Sequence, residues 1–151
     1  MRALVQRVSE ASVFAEGAIT GAIKKGLLIL ASFEEDDSEA DIEYLVKKII
    51  NLRIFDDQNG VMNLSLKDIS GEILVVSQFT LHAITKRGNR PSYIRAAKPE
   101  KAMILYEKFI SLLIEATGKS VECGLFGAEM QVSLINDGPV TIWLDSKNPT
   151  Y

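Results

Sequence analysis

The stretch Glu72-Ile73-Leu74-Val75-Val76-Ser77-Gln78-Phe79-Thr80-Leu81 decides how this chain is read. Leu74, Val75 and Val76 form an apolar run with no polar alternation, rich in β-branched side chains, and predict a strand buried on both faces. Ser77, Gln78 and Thr80 follow at once, separated only by Phe79. A buried strand that ends in hydroxyl and amide groups puts hydrogen-bonding groups at the edge of a core, where a ligand can meet them. The same groups can instead cap the strand and bond to nearby backbone. Residue types alone leave both readings open.

Upstream, the pattern is β, then α. Ala3 to Val8 and Ala11 to Ala15 are strand candidates, Glu16-Gly17 is a tight turn, and Ala18 to Ile23 returns as a third strand. Lys24-Lys25-Gly26 breaks the pattern before a buried strand, Leu27 to Ala31. Arg7, late in the first strand, reads in isolation as a surface arginine. The acidic run Glu34-Glu35-Asp36-Asp37 reads as the solvated start of a helix, where the dipole favours negative charge, in preference to a metal site. Ser38 is an N-cap candidate, with Asp41 three residues on as a weak capping box. Ile42, Leu45, Val46, Ile49 and Ile50 recur on one helical face, so Ser38 to Leu52 predicts an amphipathic helix packed on a sheet. Arg53 to Phe55 and Val61 to Leu64 are short strands around a turn containing Asn59-Gly60.

Downstream, His82 to Pro99 holds Lys86, Arg87, Arg90, Arg95 and Lys98 and no acidic residue. Gly88, Asn89 and Pro91 make it a loop. It reads either as a phosphate-contacting loop or as a solvated surface loop. Pro99 suits a first helical turn, and Ala102, Leu105, Tyr106, Phe109, Leu112, Leu113 and Ala116 mark one face up to the terminating Gly118. Ser120 to Cys123, Met130 to Asn136 and Val140 to Leu144 are the last strand candidates, and the polar tail from Asp145 to Tyr151 is expected to fray.

The 151 residues fit one domain, 1–151, with a full hydrophobic core. The chain is 47% hydrophobic and 25% charged, and no apolar run approaches the ~20 residues that cross a bilayer. The N-terminus lacks the apolar block of a signal peptide, so a cytoplasmic location is expected. One cysteine, Cys123, excludes an intrachain disulfide, and with one histidine, His82, a zinc site is nearly excluded. No nucleophile elbow surrounds His82. A net charge of −3 argues against broad nonspecific nucleic-acid binding and leaves a local basic patch open.

A second polar cluster, Asn136-Asp137-Gly138-Pro139-Val140-Thr141, interrupts the final strands. Gly-Pro is a turn signal, and X-Pro bonds are also cis in ~5–6% of folded cases. With this cluster in view, the chain resembles the D-aminoacyl-tRNA deacylases of the widespread bacterial and eukaryotic form. Ser77-Gln78-Phe79-Thr80 and Gly138-Pro139-Val140-Thr141 match that family's two signatures. The likeness extends through Met1-Arg2-Ala3-Leu4-Val5-Gln6-Arg7-Val8, Met62-Asn63-Leu64-Ser65, Arg90-Pro91-Ser92-Tyr93 and Gly124-Leu125-Phe126-Gly127-Ala128-Glu129-Met130.

The resemblance implies an editing hydrolase, part of translation proofreading, that cleaves the ester between a tRNA 3′ adenosine and a D-amino acid. It implies a homodimer with the site at the subunit interface, and a cis Gly138-Pro139 bond that reaches into the partner's pocket, binds the substrate amino group and excludes an L side chain. A glycyl ester, mischarged on alanine tRNA, would pass such a gate. Arg7 would fix the Gly138-Pro139 motif, Thr141 would complete the substrate-binding signature, Phe126 would line the adenosine pocket, and Met130 would flank its entrance. Ser77, Gln78, Phe79 and Thr80 would form the catalytic centre, with Lys86, Arg87, Arg90 and Arg95 on the tRNA, and with neither metal nor cofactor. Backbone N–H groups near Gln78 and Phe79 would stabilise an oxyanion. Thr80 as nucleophile needs an activating base. In an extended strand His82 shares its face, yet no third group orients that ring; the resemblance implies instead that the terminal ribose 2′-hydroxyl assists the attacking water and that Thr80 positions substrate. The expected fold is α/β of the α+β type: a curved, barrel-like, mainly antiparallel sheet with two long helices outside. The rivals are a noncatalytic nucleic-acid-binding module built on the basic loop and a small-molecule esterase using Thr80.

Overall fold

In the computed structural model, which describes residues 1–150, the central stretch is strand β6, Glu72–Ser77. Before it come β1 (Arg2–Ala15), β2 (Ala18–Ile23), β3 (Gly26–Ser32), α1 (Glu39–Asn51), β4 (Phe55–Asp56) and β5 (Met62–Leu64). After it come a 3-10 turn (Phe79–His82), α2 (Pro99–Thr117), β7 (Glu122–Cys123) and β8 (Gln131–Asp145). Tyr151, the end of the expected fraying tail, lies outside the described residues. No described helix is long and apolar enough to cross a membrane.

β6 is buried on both faces, as its composition requires. Ile73 and Val75 join the core beneath the helices, with Phe109, Leu113, Ile42 and Ile49. Leu74 and Val76 point the other way, into a second cluster with Val8, Val13, Ile23 and Leu28. Each such buried side chain contributes ~1.5–3 kcal/mol relative to exposure. The sheet runs β2-β1-β3-β6-β7, with β8 on the other edge of β1. β1 pairs antiparallel with β2, β3 and β8, whereas β6 pairs parallel with β3 and β7. The result is a mixed, strongly curved sheet nearly closed into a barrel. Gly21 sits at the closing seam, where an added Cβ would lie 2.8 Å from the Cys123 carbonyl.

Two expected strand pairs are continuous strands. Ala3–Val8 and Ala11–Ala15 are both part of β1, and Met130–Asn136 and Val140–Leu144 merge into β8. The reason is a register shift in the β1–β8 ladder around Val8 and Glu10, which bends both strands without ending them. The helices pack against each other and on the sheet. The capping box at Ser38 is present: the Asp41 carboxylate accepts from the Ser38 backbone N–H and hydroxyl, each at 2.9 Å. α2 ends on Gly118 in the left-handed conformation.

The acidic run departs from its solvated reading. Asp37 and Glu34 are buried. The Met1 ammonium donates to Asp37 at 2.6 Å, Lys147 pairs with Asp36 and Asp37, and Arg95 pairs with Glu34. Burying a carboxylate requires such partners, and they come from both chain ends and the basic loop, beyond the reach of a local pattern.

Candidate active site

β6 delivers the first signature to the end of the sheet. Ser77 is aligned with Ala31 of β3, and the Gln78 N–H donates to the Ala31 carbonyl at 2.8 Å. The chain then leaves the sheet and coils into the 3-10 turn. Gln78 Nε2 donates to Thr80 Oγ1 at 2.6 Å. Phe79 is 57% exposed and meets Tyr93 edge-on, with ring centroids 5.0 Å apart.

Ser77, Gln78 and Phe79 border a cavity of about 660 Å³, whereas Thr80 is not among its lining residues and reaches it only through its bond to Gln78. Ser77, Gln78, Phe79, Phe126 and Met130 all line it. Its remaining wall includes Ser32, Tyr93 and Lys98. A largely apolar cavity with a few convergent polar groups is the form expected of a small-molecule or ligand-end site. Phe126 is held by packing on Tyr106 at 5.4 Å. The Tyr106 hydroxyl donates to the Val75 carbonyl at 3.0 Å, and burial pushes its phenol pKa up.

The second signature lies outside this cavity. Gly138-Pro139 is a cis peptide within β8, and both residues are exposed. Its supports are specific. Arg7, only 6% exposed, donates from Nε to the Asp137 carbonyl at 2.8 Å and from Nη1 to the Ile54 carbonyl at 2.6 Å. The Asp56 carboxylate accepts a third Arg7 bond at 3.2 Å. Arg7 is therefore a buried hub, contrary to its reading as an isolated surface residue. Asn136 spans the turn: its Oδ1 accepts from the Val140 N–H at 2.8 Å, and its Nδ2 donates to Thr141 Oγ1 at 2.9 Å.

The supposed alignment of Thr80 and His82 does not exist, because the strand ends at Ser77. The turn sends His82 inward, where it is wholly buried with Nδ1 2.6 Å from Ser32 Oγ. It gives Thr80 no base. Burial, aided by the positive charges of Arg2 and the amino terminus, pushes the imidazole down to about 4. A histidine that stays neutral when folded costs stability as soon as the unfolded chain begins to take up its proton. Stability contributed by this site is therefore full above the ordinary pKa of 6.5, falls as pH drops from 6.5 to 4, and changes no further below. Between pH 7 and pH 4.5 the wild type is expected to lose about 2 kcal/mol more than His82→Asn. Urea denaturation of the two proteins at both pH values measures the difference, and parallel losses would refute it.

The basic loop divides. Lys86, Arg87 and Arg90 are exposed, around the isolated pairing of Ile84 with Ser92. Arg95 is tied to Glu34 through Nε and Nη2, each at 2.9 Å. Lys98, named above only as part of the patch, lies on the cavity itself. Three further supports carried no assigned role: Asn136 and Tyr93, which stand inside quoted motifs, and Ser32. For Ser32 no local signal exists, since it is one more small residue at the end of a buried strand.

Known proteins resemble this chain over nearly its whole length. The family model for D-Tyr-tRNA(Tyr) deacylase matches residues 4–145. A D-aminoacyl-tRNA deacylase of Flavobacterium psychrophilum is 62% identical over 98% of this chain and 99% of its own. A solved structure described as the c-Myc DNA Unwinding Element Binding Protein superposes with a TM-score of 0.90 at 40% identity, covering 96% of this chain and 98% of that one. A probable eukaryotic D-amino acid tRNA deacylase shares the fold alone, with a TM-score of 0.83 at 16% identity, over 95% of this chain and 97% of that one. The chain belongs to the D-Tyr-tRNA(Tyr) deacylase family of α+β hydrolases. Its activity is therefore deacylation of D-aminoacyl-tRNA: the substrate is aminoacyl-tRNA, and the bond broken is the aminoacyl ester.

Proposed function

We propose that the ester is cleaved in the cavity bordered by Ser77, Gln78, Phe79, Phe126 and Met130, and that a second copy of the chain completes it. The observation that carries this reading is a separation. The two signatures of one chain do not share a cavity, yet Gly138-Pro139 is exposed and braced from beneath by Arg7 and Asn136. A homodimer that inserts this turn into the partner's cavity gives the brace a purpose. The turn then binds the substrate amino group and leaves no room for an L side chain. Glycine has no side chain to exclude, so glycyl esters on alanine tRNA are also cleaved.

Within the cavity the 3′ adenosine packs against Phe126, with Met130 at the entrance. The Gln78 N–H is occupied by the Ala31 carbonyl, which leaves the Phe79 N–H, unpartnered among the described residues, as the backbone donor for the oxyanion. One such donor is worth about 2.7–4 kcal/mol in the transition state. Thr80, whose hydroxyl accepts from Gln78 and has no base bonded to it among the described residues, positions substrate. The ribose 2′-hydroxyl assists the attacking water, and no metal or cofactor takes part. Thr141 steadies the turn, and Lys86, Arg87, Arg90 and Arg95 face the tRNA backbone, Arg95 more weakly because Glu34 already holds it. The protein works in the cytoplasm as one domain.

The test is ester hydrolysis with D-tyrosyl-, L-tyrosyl- and glycyl-tRNA. Loss of the D and glycyl esters with the L ester intact is expected. Equal loss of D and L esters would remove the gate and keep the hydrolase.

A further inference from the structure

The turn that carries Phe79 and Thr80 is held at both ends by consecutive residues of β3. At its start, the Ala31 carbonyl accepts the Gln78 N–H at 2.8 Å. At its end, Ser32 Oγ lies 2.6 Å from Nδ1 of His82, whose ring is 0% exposed. Ser32 is itself 2% exposed and lines the cavity. The preceding carbonyl, Leu81 O, accepts from Arg2 Nη1 at 3.0 Å. Two residues beyond Ser32, Glu34 holds Arg95 at the far end of the basic loop.

The polarity of the Ser32–His82 bond follows from its surroundings. The ring is neutral, so one nitrogen carries hydrogen and the other a lone pair. Among the described residues Nε2 has no hydrogen-bond partner, and Oε1 of Glu34 lies 3.9 Å from it. An N–H facing a carboxylate is attracted, whereas a lone pair is repelled. The hydrogen therefore sits on Nε2, Nδ1 accepts, and the Ser32 hydroxyl donates. This donor–acceptor pair has one sense and one geometry. It fixes the exit of the turn relative to the strand that walls the cavity.

We propose that Ser32 and His82 are a positioning pair for deacylation, which sets the orientation of the turn so that the Phe79 N–H and the Thr80 hydroxyl meet the scissile ester. The proposal rests on the reading that this cavity is where the ester is cleaved. The pair lies outside both signatures, and neither residue touches the reacting atoms.

Steady-state kinetics on D-tyrosyl-tRNA test it, with Ser32→Ala, His82→Ala, His82→Asn and the double alanine variant. A small misplacement of catalytic groups lowers turnover by up to about 100-fold. Each alanine variant is expected to lose about tenfold in kcat, within that range, with KM little changed. The double variant is expected to lose no more than either single one, because both remove the same bond. Asparagine places an amide oxygen near the position of Nδ1, so His82→Asn is expected to recover most of the turnover. Wild-type kcat in Ser32→Ala, additive losses in the double variant, or equal defects in His82→Asn and His82→Ala would each overturn the proposal. If His82→Ala does not fold, Ser32→Ala and His82→Asn carry the test. Phe126→Ala separates the two levels. Wild-type kcat/KM in that variant overturns the cavity reading, whereas a defect there beside an unaffected Ser32→Ala overturns the positioning pair alone.

Discussion

Gly138→Ala is expected to lower D-aminoacyl-tRNA hydrolysis by about 100-fold while the protein remains folded. Gly138 has a φ of +138°, which an L side chain rarely adopts. An added Cβ would lie 2.8 Å from Val140 Cγ2 and 3.2 Å from Nη2 of Arg7. The first is a contact that real Cβ atoms do not make, and the Val140 backbone nitrogen at 3.0 Å leaves no relief by rotating the valine, so the turn itself must shift. Gly138 and Pro139 are exposed and lie outside both core clusters, and only half-buried Val140 packs against the main one, so the displacement falls on the exposed half of the turn. A misplacement near 1 Å is enough for a loss of this size. The measurement is single-turnover hydrolysis of D-tyrosyl-tRNA beside a urea denaturation curve. Wild-type turnover would separate Gly138 from the reaction. Mixing Gly138→Ala subunits with Gln78→Ala subunits extends the test. If the cavity of one subunit works with the turn of the other, a mixed dimer contains one intact site and part of the activity returns. No recovery on subunit exchange would count against the shared site.

Arg7→Leu is expected to cost about 3 kcal/mol or more of folding stability as well as activity. The guanidinium is the donor for the carbonyls of Asp137 and Ile54. A buried acceptor left without a donor costs ~1–3 kcal/mol; the Ile54 bond is buried and the Asp137 bond partly so, and together they bring the loss to about 3 kcal/mol. The Asp56 and Asp137 side chains, 50% and 46% exposed, can be rehydrated and add less. Leucine fills some of the space and satisfies none of the acceptors. Lysine keeps the charge but cannot reach several acceptors in one plane, so Arg7→Lys is expected to recover only part of the stability. Equilibrium urea denaturation decides this, and a loss below 1 kcal/mol for Arg7→Leu would mean that water replaces the guanidinium.

Much of the fold was legible because its signals are local. The apolar run Leu74–Val76 has no polar position, and β6 is buried on both faces. The stripe from Ile42 to Ile50 became the buried face of α1, and Gly118 stopped α2 in the left-handed conformation. The two signature motifs pointed to the family before any coordinate. What could not be read was where polar residues go once the chain is closed. Glu34 and Asp37 looked solvated because their partners, Arg95, Lys147 and the amino terminus, are remote in sequence. His82 looked aligned with Thr80 because a period of two was carried past the end of a strand that had become a 3-10 turn.

Periodicity, turn residues and motifs act over a few neighbouring positions, so the elements, the two signatures and hence the family follow from local order along the chain. It took the folded chain to make Arg7 the hub beneath Gly138-Pro139, to bring Ser32 to His82, and to leave Gly138-Pro139 outside the cavity that Ser77, Gln78 and Phe79 line. Those facts depend on how a bent β1 brings β3 and β8 to its two edges, and closure of a sheet is set by the whole chain.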